Sequence, residues 1–223
     1  MLAAAVSWSG GKDCSLAFSK AISQGFSVKH LVNTYRQESG RVAFHGTRKD
    51  LLQSQANAMG RELTQVEVGD CDYEERLVAA FRELNGKVNG IVFGDIDSPE
   101  NRKWSENAAK KAGLEAYFPL WKIDQRRLLM EFIDCGFRAI VVCIDSRYFG
   151  KEALGRNIDR DWLHDLDAMQ KRKNGAAPTY CGERGEYHSF VCDGPLFERS
   201  LRMKTGPIVT KGDFMLIDLI EHK

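Results

Sequence analysis

The sequence predicts an α/β protein built on a parallel sheet with helices on both faces. Apolar, β-branched runs alternate with helical patterns over about two-thirds of the chain. The 223 residues are enough for one sizeable core with an appended region. From Asp145 onward, Gly, Asp, Arg and aromatic residues replace the clean alternation. We therefore expect a main domain over residues 1–145 and a small carboxy-terminal α+β substrate-binding region over residues 146–223.

The repeating unit of the main domain is a short buried strand followed by an amphipathic helix. We predict five parallel strands, near residues 3–8, 28–35, 62–68, 90–94 and 139–144. Helices are predicted near residues 15–24, 48–59, 73–84, 99–112 and 125–135. Glycines follow four of these helices, and Pro99 stands where a first helical turn favours proline.

The carboxy-terminal region predicts one more helix and several short antiparallel strands. An amphipathic stretch covers residues 160–170, and apolar residues alternate from Leu196 to Ile220. Thr205-Gly206-Pro207 and Lys211-Gly212-Asp213 interrupt this alternation. We expect the strands to be separated at both places.

Charge and cysteine content limit the classes of function. The chain has 32 Lys and Arg against 31 Asp and Glu, so no overall field would gather nucleic acid or an anionic membrane. Its six cysteines include no Cys-x-x-Cys pair, so their spacing signals neither a zinc site nor a redox pair. With no charged leader and no apolar run of membrane-spanning length, we expect a cytoplasmic protein with reduced thiols.

The segment Ser9-Gly10-Gly11-Lys12-Asp13-Cys14 follows the first predicted strand and is typical of a phosphate-binding turn. Its glycines let backbone amides approach an anion, and Lys12 adds a positive charge at a helix amino terminus. A Walker A loop is excluded, because Val6 stands where that motif needs glycine and Asp13 where it needs Ser or Thr. The alternative is an ordinary strand-to-helix turn.

A second polar segment, residues 181–190, has the sequence Cys-Gly-Glu-Arg-Gly-Glu-Tyr-His-Ser-Phe. Two acids, an imidazole and a phenol lie around two glycines, so the segment can present several polar groups to one pocket. The alternative is a surface turn that leads into an edge strand.

Together these motifs resemble the diphthine ammonia ligase family of the ATP pyrophosphatase (PP-loop) superfamily, including its short bacterial-type relatives. The hexapeptide is similar to the pyrophosphatase loop, and Gly-Glu-x-Gly-Glu-Tyr is followed by Asp-Gly-Pro-Leu-Phe. The implied fold is Rossmann-like, of HUP type, with a five-stranded parallel sheet. The resemblance extends to His45-Gly46, Gln55-Ala56, Gly94-Asp95-Ile96 and Phe118-Pro119-Leu120-Trp121.

The resemblance implies an AMP-forming ligase that uses ATP and Mg²⁺. A carboxylate is adenylated with loss of pyrophosphate, and ammonia then displaces AMP to give an amide. The acid is diphthine of elongation factor 2 or an unidentified small acid, since those ligases usually have an acidic residue at the position of His188 and a small or polar one at that of Arg184. We expect no membrane or nucleic acid partner, and a homodimer is compatible with the sequence.

The resemblance also implies roles for individual residues. Phosphate contacts are assigned to Ser9, Gly10, Gly11 and Lys12, with Cys14 completing the loop. Asn33 and Thr34 are expected near adenine or ribose, and His45 and Gly94 near the nucleotide. Asp13 is the expected Mg²⁺ ligand, with helix capping as the alternative. The predicted catalytic residues are Lys12, Asp13, Asp95, Glu183 and Glu186.

On the substrate side, Glu183 and Glu186 would orient ammonia or take up a proton, and Tyr187 and His188 would line the acceptor pocket. Asp145 is a further candidate, although nearby Arg147 favours a structural ion pair. Two other functions stay open: a PP-loop enzyme that modifies tRNA, and a regulator that binds adenine nucleotides without turnover. Near-neutral charge argues against the first, and the acidic segment argues against the second.

Overall fold

The computed structural model describes residues 2–42, 46–171 and 177–222, and it confirms the predicted α/β class. The larger sheet contains β1 (Ala3–Ser7), β2 (Ser27–Arg36), β3 (Arg41–Val42), β4 (Glu62–Val68), β5 (Gly90–Val92) and β6 (Glu115–Tyr117). All of its strands are parallel except β3, a two-residue strand that pairs with the end of β2. The parallel strands lie in the order β4-β2-β1-β5-β6.

Five helices connect and cover this sheet: α1 (Lys12–Ser23), α2 (Lys49–Ala58), α3 (Tyr73–Arg82), α4 (Pro99–Lys111) and α5 (Gln125–Asp134). Alternate residues of β1 divide between two cores. Ala4 and Val6 pack with α1, α2 and α5, whereas Ala5 packs with α3 and α4. Because side chains alternate across a strand, the helices cover both faces of the sheet and β1 is buried on both sides.

Local signals in the sequence explain the helix bounds, all of which lie within three residues of the prediction. Pro99 occupies the first turn of α4, and the Ser98 side chain caps that helix by accepting a bond from the Asn101 amide at 3.3 Å. The largest difference is at α1, which begins at Lys12 rather than at residue 15. The polar residues of the loop motif therefore project from the first turn of a helix.

A smaller antiparallel sheet forms the carboxy-terminal region. It contains β7 (Arg138–Asp145), β8 (Tyr187–Asp193), β9 (Met203–Lys211) and β10 (Phe214–Glu221), in the order β8-β7-β10-β9. The predicted amphipathic helix is α6 (Arg160–Gln170), which lies between β7 and β8 in the chain. This sheet matches the predicted carboxy-terminal α+β extension.

The strand predicted near residues 139–144 forms, but its assignment to the parallel sheet is wrong. As β7 it pairs antiparallel with β8 and β10, and the three-residue β6 is the fifth parallel strand. A continuous apolar run indicates burial on both faces, which a central strand of either sheet requires. The predicted boundary after residue 145 would separate β7 from its partners, and we propose a domain boundary between β6 and β7 instead.

The break predicted at Thr205-Gly206-Pro207 is also wrong, because all three residues lie within β9. This strand is at the edge of its sheet and pairs only with β10. An edge strand tolerates proline because one side of its backbone needs no hydrogen-bond partner from the sheet. The second predicted separator is confirmed: Gly212, with φ +60°, lies in the turn that joins β9 to β10.

The smaller sheet packs against the α2 side of the larger one. Leu51 and Ala58 of α2 share a buried cluster with Val142, Phe190 and Leu219 of the smaller sheet. This packing places β8 beside the amino-terminal half of α1. Among the helices of the described ranges, none combines the length and apolar character needed to cross a bilayer.

Candidate active site

A cleft of about 1190 Å³ opens where the two sheets meet. One wall is formed by the carboxyl ends of β1, β2 and β5, and the other by β8 and the β9–β10 hairpin. From β1 the chain proceeds outward to β2 and β4, and it then returns to the other side of β1 for β5 and β6. In open α/β sheets such a reversal leaves a crevice at the carboxyl ends of the strands, and ligands bind there.

The glycine-containing loop between β1 and α1 forms the floor of the cleft. Gly10 has φ +78°, and a Cβ at this position would lie 2.6 Å from Leu52 Cδ1 and 2.7 Å from Gln55 Oε1. Gly94, two residues after β5, is also tightly placed, since its Cβ would lie 3.0 Å from the Cys14 amide nitrogen. Gly10 therefore requires glycine, and Gly94 favours it because the loop passes close to the end of β5.

Lys12 extends from the first turn of α1 into the cleft and is only 4% exposed. Its Nζ donates to Asp13 Oδ2 at 2.8 Å and to the carbonyl oxygen of Cys181, and it lies 4.9 Å from the ring centroid of Tyr187. Burial disfavours the ammonium, but Asp13 and the other surrounding groups outweigh it and raise the pKa of Lys12 above its usual value. Lys12 is therefore a buried, permanent cation between the loop and residue 181.

Three carboxyl groups line the same cleft as this cation. Burial raises the pKa of Asp13, although the adjacent Lys12 partly opposes the shift. Burial also raises the pKa of Asp95, whose Oδ2 accepts a bond from Ser105 Oγ at 3.1 Å. Burial and the nearby Asp13 raise the pKa of Glu183 to about 8. Like charges in a partly dry cleft resist simultaneous ionisation, so Glu183 is protonated over much of the neutral range.

Tyr187 and His188 lie at the start of β8, in the second wall of the cleft, which we call the acceptor wall after its predicted role. The Tyr187 hydroxyl donates to the Tyr180 carbonyl at 2.6 Å, and its ring packs edge-on against Trp162 of α6, 5.2 Å between centroids. Burial and the positive charge of Lys12 lower the pKa of His188 to about 4. His188 therefore presents a neutral imidazole to the cleft at pH 7.

At the carboxyl end of β2, the cleft contains a buried oxygen atom that has no hydrogen-bond donor among the described residues. Asn33 is 2% exposed, and its Nδ2 donates to the Trp8 carbonyl at 2.7 Å. Its Oδ1 has no hydrogen-bond partner among the described residues. Thr34 Oγ1 lies 3.3 Å from the Tyr73 hydroxyl, and the Tyr73 and Trp104 rings are 5.8 Å apart between centroids. This end offers aromatic faces and a buried oxygen that can accept a bond from a ligand N–H.

The structure brings most of the predicted site residues together. Gly10 and Gly11 form the turn of the loop, and Gly11 caps α1. His45 lies outside the described residues. The predicted residues that line the cleft are Ser9, Lys12, Asp13, Cys14, Asn33, Thr34, Gly94, Asp95, Glu183, Tyr187 and His188.

Two acidic candidates do not face the cleft. Glu186 is fully buried, and its carboxylate accepts bonds from the Thr179 amide at 2.6 Å, the Thr179 hydroxyl at 3.1 Å and the Arg184 amide at 2.8 Å. The predicted catalytic and substrate-binding roles of Glu186 therefore do not fit its position, because both oxygens hold the turn before β8. Asp145 is bound by Arg147 Nε at 3.0 and 2.9 Å, which matches the structural alternative.

Two residues that hold the loop were not predicted as site residues. Gln55 is fully buried on α2 and bonds to Trp8, Gly10 and Val191. Ser189 of β8 accepts a bond from the Lys12 amide at 3.1 Å. A glutamine on the apolar face of an amphipathic helix was the available signal for Gln55, since a buried amide needs partners.

The described residues contain no group of three or more His, Cys, Asp or Glu side chains placed to hold a metal ion. Mg²⁺, however, is usually bound through one or two carboxylates together with substrate phosphates and water. Asp13, 28% exposed at the side chain beside the loop, fits such a ligand, and Asp95 is a second oxygen donor in the same cleft.

Two domain families match consecutive parts of the chain. The diphthamide synthase N-terminal domain matches residues 2–116, and the diphthamide synthase C-terminal domain matches residues 124–219. The boundary between the two matched domains lies between residues 116 and 124, which is before β7. A crystal structure of a predicted subunit of tRNA methyltransferase from Methanocaldococcus jannaschii aligns with a TM-score of 0.46 at 13% identity, over 90% of this chain and 100% of that chain.

Several relatives carry the name diphthine–ammonia ligase. The protein from Schizosaccharomyces pombe is 24% identical over 90% of this chain and 36% of its own length. The protein from Bos taurus is 32% identical over 56% of this chain and 45% of its own length, and that from Danio rerio is 26% identical over 92% and 88%. The chain thus spans less than half the length of the first two. Since the two domain models together cover most of the sequence, the chain belongs to the diphthamide synthase family.

Proposed function

We propose that this chain is an ATP-dependent ligase that adenylates a carboxylate and amidates it with ammonia, releasing AMP and pyrophosphate. One observation carries the proposal: the Lys12 ammonium bonds both to Asp13 of the phosphate loop and to the carbonyl of Cys181, where the acidic segment begins. A cation that touches both motifs supports a single reaction centre. The names of the relatives support amide ligation as its chemistry.

The nucleotide is proposed to bind across the loop. Amides of Ser9, Gly10 and Gly11 and the ammonium of Lys12 would hold the β and γ phosphates. The adenine would occupy the end lined by Tyr73 and Trp104, where Asn33 Oδ1 accepts a bond from its amino group. Asp13, together with Asp95, would hold Mg²⁺, which offsets phosphate charge when bound. Cys14 keeps its thiol inside the loop turn, 3.1 Å from the Gly11 carbonyl.

The reaction is proposed to take place in two balanced steps. A carboxylate oxygen attacks the α phosphorus, the bond to the bridging oxygen breaks, and pyrophosphate leaves beside Lys12. Ammonia then attacks the acyl carbon, AMP leaves with the transferred carboxylate oxygen, and one proton is released. Glu183, with a pKa of about 8, can take that proton only when it is ionised, so its contribution as a base should grow as the pH rises toward 8.

The acceptor is proposed to enter between β8 and the β9–β10 hairpin, beside Tyr187 and His188. A neutral imidazole there adds no charge beside the reacting carboxylate and can donate or accept one hydrogen bond with the substrate. Diphthine of elongation factor 2 and a small acid are both retained as substrates. A cytoplasmic location, a homodimer and the absence of nucleic acid partners remain proposals.

The test is to incubate the purified protein with ATP, Mg²⁺, ammonium and a panel of carboxylic acids labelled with oxygen-18. Adenylation transfers one labelled oxygen to AMP, so labelled AMP, pyrophosphate and the amide should form in equal amounts. Formation of ADP would overturn the proposal. Tight nucleotide binding without turnover would favour a regulator, and salt-sensitive retention of labelled tRNA would favour a tRNA-modifying enzyme.

A further inference from the structure

Gln55 joins three parts of the molecule that are distant in sequence. Its Oε1 accepts from Trp8 Nε1 at 2.9 Å, and its Nε2 donates to the Gly10 carbonyl at 3.0 Å and to the Val191 carbonyl at 2.6 Å. The side chain is fully buried. One amide therefore connects the end of β1, the turn of the phosphate loop and the middle of β8.

The surroundings of Gln55 show that the loop is built around this side chain. A Cβ at Gly10 would lie 2.7 Å from Gln55 Oε1, so the left-handed turn packs directly on the amide. The Val191 amide also donates to the Gly10 carbonyl at 2.9 Å, which gives that oxygen two donors. Two residues earlier on the same strand, Ser189 Oγ accepts a bond from the Lys12 amide at 3.1 Å. The loop is thus fastened to β8 at two points, Gly10 and Lys12.

A purely structural role would predict a different arrangement. A glutamine that only fills a core position would be expected to bond within its own helix, where α2 otherwise buries the apolar residues Leu51, Leu52 and Ala56. Instead, none of the three partners of Gln55 belongs to α2. All of them belong to the elements that carry the phosphate loop and the acceptor wall.

We propose that Gln55 is a positioning residue that sets the distance between the phosphate loop and the acceptor wall on β8. The inference rests on the proposed function, because it assumes that ATP binds at the loop and the acid beside Tyr187 and His188. The loop itself provides the nucleotide contacts. Attack of the carboxylate on the α phosphorus, however, requires the correct distance between the loop and β8. Loss of the amide should therefore lower kcat much more than it raises KM for ATP.

The test compares Gln55→Met with two controls. Gln53→Met lies on the same helix, where the wild-type side chain is bonded only to Asn57, also on α2. Leu163→Ala removes buried volume from α6, so it lowers stability without removing any hydrogen bond of the loop. We expect kcat per folded molecule to fall by about 10- to 100-fold in Gln55→Met with KM for ATP almost unchanged. Both controls should keep the wild-type kcat.

Equal kcat in Gln55→Met and Gln53→Met would overturn the proposal, as would an equal loss in Leu163→Ala. If Gln55→Met does not fold, Ser189→Ala can be used instead, because it removes the bond between Ser189 and the Lys12 amide. This variant should also lower kcat, and a wild-type kcat would overturn the proposal.

Hydrogen exchange at the Val191 amide gives a readout that does not require turnover. Faster exchange in Gln55→Met than in either control supports the proposal. This conclusion holds even if the wild type forms no AMP, because the absence of AMP would refute only the ligase function. Unchanged exchange refutes the positioning role.

Discussion

Replacement of Glu183 by Gln should make the protein more stable at alkaline pH and less active. The pKa of this carboxyl group is raised from 4.5 to about 8, chiefly by burial and then by the charge of Asp13. Between these two values the folded state binds a proton that the unfolded state has lost. Stability therefore falls as the pH rises through this window. The glutamine side chain stays neutral and removes that dependence.

The magnitude follows from the shift. Each pKa unit corresponds to about 1.4 kcal/mol, so the ionised carboxylate opposes folding by at most about 5 kcal/mol. Glu183 is partly exposed, and water screens its charge, so an observed difference of about 2 kcal/mol is reasonable. Below about pH 4.5 the group is protonated in both states and the variant should gain nothing.

The assay is urea unfolding of wild type and Glu183→Gln at about pH 5.5 and about pH 9. Glu115→Gln, which changes an exposed carboxylate on β6, is the matched control and should not alter the pH dependence. In parallel, wild-type turnover should rise with pH through about 8 if Glu183 must be ionised to take a proton. Equal free energies of unfolding for wild type and Glu183→Gln at the alkaline pH would refute the reasoning about burial.

Three further predictions concern the groups around Glu183 and the junction between the sheets. Lys12→Met should lower the rate of pyrophosphate release by about 10²–10³-fold, whereas Lys20→Met on the same helix should leave it nearly unchanged; equal losses would refute the leaving-group role. Asp13→Asn should raise the Mg²⁺ concentration needed for half-maximal turnover, and an unchanged titration would exclude Asp13 as the ligand. Asp218, whose pKa is lowered by the bonds from Arg48, is 7% exposed. Asp218→Asn should cost about 1–3 kcal/mol in urea unfolding near pH 7, and this difference should shrink as the pH falls through the lowered pKa, so a constant difference would contradict the ion pair.

Residue patterns predicted the helices and the strands β1, β2, β4, β5 and β7, because each of these has its own local signal. The amphipathic stretch at residues 160–170 coincides with α6, and Pro99 begins α4 as predicted. Strand partners were harder to predict. β7 has the apolar run of a central strand, but nothing within residues 138–145 specifies whether its neighbours are parallel or antiparallel. The pairing depends on β8 and β10, which are far along the chain.

The same limit applies to the site. Phosphate-loop residues were recognisable because glycine and lysine at a strand-to-helix turn have a direct physical meaning. Glu183 and Glu186 could not be told apart, since both are acids in one glycine-containing segment. Only the fold shows that Glu186 accepts three bonds within the turn while Glu183 faces the cleft. Gln55 belongs to the short Gln55-Ala56 match, but that match assigns it no role, and its three partners become visible only when β1, α2 and β8 are assembled.

The proposed adenylation depends on the phosphate loop of the larger sheet, and the proposed amidation depends on β8 of the smaller sheet. The junction between the two sheets must therefore hold both sites together. An acyl adenylate is easily lost to water, so activation and amidation must take place in one enclosed site. In this chain the enclosure comes from bonds that cross between the sheets: Lys12 to Cys181 and Ser189, and Gln55 to Val191. Because these bonds hold the loop, β8 also helps to shape the phosphate site. A substitution on β8 should therefore lower the rate of adenylation, even where the side chain changed is far from any phosphate.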